Sequence, residues 1–299
     1  MASVQYVHDP ALRIDLGGHV FPVEKWSILR SLIQSELGVP ELRFHGFDQI
    51  DDEDLERVHT PGYLADLRAA RTTVRTASSE LPVTREVIDG FRHMVGGSVA
   101  AVRLALEHGV GFHCGGGFHH AFPDHGEGFC YLHDVAIAVE RARVESGLGN
   151  VLFLDVDVHQ GNGTAVVYAE DRESYCYSIH QERNYPLKQR STLDRALEDG
   201  IDDDGYCERL AADIEKIRSE FRPELLCYVG GVDPHRDDQL GGLALTDDGI
   251  RRRDEIALRP FLDDGIAVAV FLAGGYAPTP ERTARLHLSA ARICEEAIA

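Results

Sequence analysis

Five short apolar runs, Val110–Cys114, Val151–Val156, Tyr175–Ile179, Leu225–Val229 and Ile266–Leu272, each lead straight into a Gly-rich or polar cluster. The clusters are GGGFHH, DVDVHQGNG, SIHQERNYP, GGVDPH and AGGYAP. Apolar, β-rich runs bounded by Gly, Asp or Pro have the character of strands buried on both faces. Between and around them lie amphipathic segments that read as helices: Pro22–Leu37, Asp52–Val58, a stretch from the Thr60-Pro61-Gly62 break towards Arg71, Thr84–His108, Tyr206–Phe221, Thr246–Leu262 and Thr279–Ile298. Strands alternating with helices predict an α/β chain built on a parallel sheet with crossover helices. In such sheets the ligand site lies beyond the carboxyl ends of the strands. The five clusters, far apart in sequence, are therefore expected to meet at one site. With no repeat, low-complexity segment or linker in view, residues 1–299 read as one catalytic domain.

Composition narrows the partners. A formal net charge of −20 argues against binding nucleic acid or an anionic membrane, whose phosphates would be repelled, and suits a cationic substrate. No apolar stretch approaches the roughly 20 residues of a membrane span, and the start MASVQYVHDP lacks the basic and apolar regions of a signal peptide. The 6 cysteines form no CxxC pair, so free thiols in a reducing cytoplasm are expected rather than a disulfide framework.

The sharpest chemical signal is Leu154-Asp155-Val156-Asp157-Val158-His159. If the strand continues through it, Asp155, Asp157 and His159 share one face. Such groups are costly to bury unless paired or bound to a cation. Asp233, at the end of LLCYVGGVD, adds a carboxylate. Asp157, His159 and Asp233 then form a three-ligand site with an open position, as a catalytic zinc needs, although the same donors accept Fe(II).

Hydrolysis at such an ion needs a base for the proton of water and an acid for the leaving amine. The tandem His119 and His120, after the Gly115-Gly116-Gly117-Phe118 loop, can supply both. Asp155 is free to orient one of them, and Asn162 is a plausible partner for the other. An amide does not raise an imidazole pKa as a carboxylate does, so the two histidines should differ in basicity. Tyr276, closing AVAVFLAGGY, could polarise a carbonyl opposite the metal. Phe129 and Tyr185 could wall a narrow apolar channel.

Together GGGFHH, GFCYLHD, DVDVHQGNG, GGVDP, LGGL and GGY resemble, in order and spacing, the histone deacetylase family. HVFPVEKW and VHTPGYL resemble its N-terminal portion, and HQGNG, NYP and DDQLGGL its class IV branch. The resemblance implies a three-layer α/β/α domain with a mainly parallel sheet of roughly eight strands. It implies zinc on Asp157, His159 and Asp233, His119 and His120 as the acid–base pair backed by Asp155 and Asn162, and Tyr276 as the carbonyl-polarising group. It also implies a structural potassium beside Asp155, Asp157, His159, Ser178 and Ile179, and an acyl-lysine tunnel along Gly128, Phe129, Tyr185 and Gly275. Where class I members carry Asn in CYLND, this chain has His133.

The expected reaction is hydrolysis of an N-acyl amide to a free amine and a carboxylate. An acylated lysine, carrying acetyl or a longer fatty acyl group, is the first substrate expected. An acetylpolyamine or other small amide, a catalytically inert acyl-lysine binder, and a binuclear arginase-type ureohydrolase are the alternatives. The last would need more carboxylates at these strand ends than GGGFHH and the single Asp233 provide.

Overall fold

Alternate residues of the central strands go to opposite sides of one sheet. In β4 (Val151–Asp155), Val151 and Phe153 join one apolar core while Leu152 and Leu154 join another. The same division holds in β7 (Leu225–Val229), with Cys227 on the first side and Leu226 and Tyr228 on the second. Both faces are therefore covered, and a three-layer α/β/α arrangement results. The computed structural model describes residues 2–12 and 14–298.

On the first side lie α5 (Arg85–His108), contributing Ala101, Val102 and Ala105, and α6 (Asp134–Ser146), contributing Val135, Ala138 and Val139. On the second lie α1 (Lys25–Glu36), α8 (Asp203–Glu220), α9 (Asp247–Asp263) and α10 (Pro280–Ile298), through residues such as Leu29, Ile214, Leu258 and Ile293. Four of these helices begin on side-chain caps: Thr84 accepts from Val87 N, His133 from Ala136 N, Asp202 from Gly205 N and Thr246 from Gly249 N. Short helices α2 (Asp52–Glu56), α3 (Pro61–Arg68), α4 (Val74–Ala77) and α7 (Asn162–Val167) complete the set.

The sheet has eight strands, all paired in parallel, in the order β2-β1-β3-β8-β7-β4-β5-β6. The five strands expected from sequence are β3 (Gly109–His113), β4, β5 (Ser174–Gln181), β7 and β8 (Ala267–Phe271). They are the five contiguous central ones, so their carboxyl ends adjoin. The three that sequence did not suggest, β1 (Ser3–Val7), β2 (Phe44–His45) and β6 (Leu193–Leu197), lie towards the edges. Among the described residues no helix is long and apolar enough to cross a membrane. All six cysteines are buried free thiols.

Candidate metal and acid–base site

Strand β4 stops at Asp155, one residue short of the expected end, and the chain turns rather than continuing extended. The expectation that Asp155, Asp157 and His159 share a strand face is thus corrected. Asp155 Oδ1 accepts Asp157 N at 3.1 Å, and Asp157 Oδ1 accepts His159 N at 2.9 Å. These local bonds curl the segment and send Asp155 to a different task from the other two.

Asp157, His159 and Asp233 are buried and offer ligand atoms within 4.8 Å of one another, the one such group found among the described residues. His159 Nδ1 lies 3.1 Å from Asp157 Oδ1 and 3.2 Å from Asp233 Oδ2. Backbone amides take the opposite oxygens: Gly274 N donates to Asp157 Oδ2 at 2.8 Å and Val158 N to Asp233 Oδ1 at 2.8 Å. Asp233 Oδ2 is buried without a hydrogen bond. Burial, and then the neighbouring Asp157, push Asp233 up to about 7. Two buried carboxylates and an imidazole converge beside one orphaned oxygen, an O/N/O donor set that fits a divalent cation. A Cβ on Gly274 would overlap both carboxylates, so glycine there is what lets the backbone reach the cluster.

The two histidines stand with ring centroids 4.0 Å apart but differ in surroundings. His119 Nδ1 is 2.6 Å from Asp155 Oδ2. Burial opposes its charge, yet Asp155 and Asp157 overcome it and raise the imidazole to about 9. His120 Nδ1 is 2.7 Å from Asn162 Oδ1, and burial, with His119 and His159, holds this ring well below the ordinary histidine range. The loop carrying them is pinned from below: Asp134 accepts Gly117 N at 2.9 Å and Phe118 N at 2.7 Å.

A cavity of about 240 Å³ descends to this cluster, lined by His120, Gly128, Phe129, His159, Tyr185 and Tyr276 among others. Phe129 meets Tyr276 edge-on at 5.9 Å, and Tyr185, 39% exposed, marks the mouth. Gly128 has φ +52° and leaves space for the His120 ring and the Tyr185 hydroxyl. Gly275 does not line this space. Its φ is +136°, and a Cβ on it would meet Val232 and Thr283 rather than the channel, which corrects its expected place in the tunnel. Burial keeps the Tyr276 phenol well above its ordinary pKa, hence protonated and a donor. Register pairs Asp155 with Ser178 across β4 and β5, with Ile179 next along β5.

Several supporting residues lie inside the quoted motifs, where no task was expected of them. Lys25 is fully buried and its Nζ donates to Ala273 O at 2.6 Å. That carbonyl belongs to the same peptide unit as the Gly274 N–H that holds Asp157. Burial lowers Lys25 to about 8, against the pull of Asp233, Asp157 and Asp238. Asp238 accepts Tyr276 N, and Gln239 Nε2 donates to Tyr276 O at 2.8 Å. His133 caps α6, its Nδ1 accepting Ala136 N at 3.2 Å while its Nε2 pairs with Thr164 Oγ1 at 2.9 Å. A capping histidine bonded to a threonine is the physical account of the residue at that motif position.

Comparison with known proteins agrees with this architecture. The histone deacetylase domain matches residues 19–292. An uncharacterized protein of Picosynechococcus is 39% identical over 261 residues, 87% of each chain. Histone deacetylase 2 of Arabidopsis thaliana is 30% identical over 297 residues, covering 94% of this chain and 77% of the other. The solved structure of an HDAC homolog complexed with SAHA superposes with a TM-score of 0.82 at 22% identity, over 97% of this chain and 84% of that one, a likeness of fold.

Proposed function

The chain belongs to the histone deacetylase family, and from that membership we propose that it is a single-domain, zinc-dependent hydrolase of N-acyl amides, removing acetyl or longer fatty acyl groups from lysine side chains. One observation carries the reading: Asp157 and His159, which cluster with Asp233, border the same small space as the His119–His120 pair and Tyr276. A divalent ion held there, zinc or iron(II), would supply Lewis acidity to the amide carbonyl and to water.

The residues then divide the work. Tyr276 donates its phenolic proton in a hydrogen bond to the carbonyl oxygen and stabilises the charge that develops there. His120, kept neutral, takes a proton from water. His119, kept protonated by Asp155, returns one to the departing amine nitrogen. Phe129 and Tyr185 hold the alkyl stem and exclude water around it. A structural potassium is proposed beside Asp155, Asp157, His159, Ser178 and Ile179, supported by the Asp155–Ser178 register. The HQGNG, NYP and DDQLGGL segments support placement in the class IV branch, and the buried free thiols suit the cytoplasm.

Glu80 at the channel mouth and the net charge of −20 favour one second reading, an acetylpolyamine or similar cationic amide. The test is turnover of acetyl-lysine and myristoyl-lysine peptides and of acetylspermidine by the zinc-loaded protein. Lysine peptides turned over faster than the polyamine support the first reading, and the reverse order supports the second. No turnover of any of them sinks both.

A further inference from the structure

The His120 partner is an amide, and an amide presents an acceptor at one end and a donor at the other. Which end faces His120 decides where the imidazole carries its proton. Two contacts settle the orientation of Asn162. Gly163 N donates to Asn162 Oδ1 at 3.1 Å, and Asn162 Nδ2 donates to Glu127 Oε1 at 2.7 Å. With Nδ2 spent on a carboxylate, only Oδ1 is left for His120 Nδ1, at 2.7 Å. His120 Nδ1 must therefore be the protonated nitrogen, and Nε2 keeps the lone pair that a base needs. Glu127 is itself anchored. Its backbone exchanges two hydrogen bonds with Cys130, at 3.0 and 2.9 Å, and its other carboxylate oxygen lies 3.4 Å from His125 Nε2.

We propose that Glu127 is a positioning residue for the reaction: acting through Asn162, it fixes the His120 tautomer, in a relay of carboxylate, amide and imidazole that ends at the channel wall. His119 receives a carboxylate directly from Asp155, whereas His120 receives one through an intervening amide. The relay orients His120 without giving it an adjacent negative charge, which would raise its basicity and draw a second proton. This inference rests on the hydrolase reading only for its consequence in turnover; the tautomer itself is a property of the resting protein.

The test reads both. Nitrogen-15 ring spectra of the metal-free protein, with His120 assigned by its loss in His120→Ala, are expected to show an Nδ1 proton. Glu127→Gln keeps an acceptor for Asn162 and should retain that signal and a kcat within about twofold of the parent. Glu127→Ala leaves Gly163 N as the one remaining anchor of the amide, should mix the tautomers, and should lower kcat roughly tenfold with little change in KM. In Asn162→Asp the new carboxylate faces both His120 and Glu127. Adding Glu127→Gln should then raise kcat by removing repulsion between like charges. An unmixed Nδ1–H signal in Glu127→Ala overturns the proposal even if the enzyme is active. Should Glu127→Ala not fold, an Asn162→Asp protein indifferent to Glu127→Gln overturns it. Absent turnover in every variant, with the tautomer shift intact, counts instead against the hydrolase reading.

Discussion

Asp238 Oδ2 accepts the backbone N–H of Tyr276 at 2.6 Å, so the phenol is aimed from a loop 38 residues earlier in the chain. Gln239 takes the carbonyl of the same residue, and Tyr276 is held on both sides of its Cα before its side chain touches anything.

Tyr276→Phe is therefore expected to fold and bind metal normally while kcat falls by roughly 100- to 1000-fold, the usual effect of losing one oxyanion donor. Asp238→Asn, which turns an N–H2 towards backbone donors, should lower kcat roughly tenfold with the metal retained. Steady-state kinetics beside metal analysis check both; a fully active Tyr276→Phe removes the tyrosine from the reaction.

Zinc should bind one per chain and raise the melting temperature. At a thousandfold excess over Kd the gain is about 4 kcal/mol. Asp233→Ala should abolish that gain, because the cluster then has a single carboxylate and the imidazole. Calorimetry of the metal-free protein titrated with zinc decides it, and a stoichiometry of two would point to binuclear chemistry.

Gly274→Ala offers a subtler probe. Its φ is not positive, so alanine brings no backbone strain, yet the added methyl would overlap the carboxylates of Asp233 and Asp157. Metal affinity should drop at least roughly tenfold while Tyr276 and both histidines are untouched. Unchanged affinity would mean that the loop does not approach the ligands as closely as described.

The buried histidines set the acid limit of the fold. Burial lowers His133 to about 3 and His59 to about 4. Below 6.5 the unfolded chain takes up protons there that the folded chain refuses, so stability is lost as pH falls from 6.5 towards those values. Each proton contributes up to about 1.4 kcal/mol per pH unit. His133→Asn, which can still cap α6, should flatten the pH dependence of the urea midpoint over this window. A slope identical to the parent's would exclude His133 as a contributor.

The centre of this protein was more legible than its margins. The five central strands are continuous apolar runs because helices cover both faces, and a turn cluster follows each one. The edge strands β2 and β6 carry polar or partly exposed residues, and LDRAL offers neither a clean alternation nor an apolar run. Helix α6 begins on a histidine, outside the usual capping set, so its start was not visible. Motif spacing brought out the side chains that meet in the pocket. Lys25, Asp134 and Asp238 lie within HVFPVEKW, GFCYLHD and DDQLGGL, but their tasks were not legible there because they act on backbone groups, whose positions a residue pattern does not give.

The amide between Ala273 and Gly274 is shared property: Lys25 of α1 grips its oxygen and Asp157 its hydrogen. Two stretches 248 residues apart are thereby coupled at the ligand cluster. A chimera that imports its first forty residues from a relative would inherit that relative's donor as well, and the ion would register the exchange without one of its own ligands having changed.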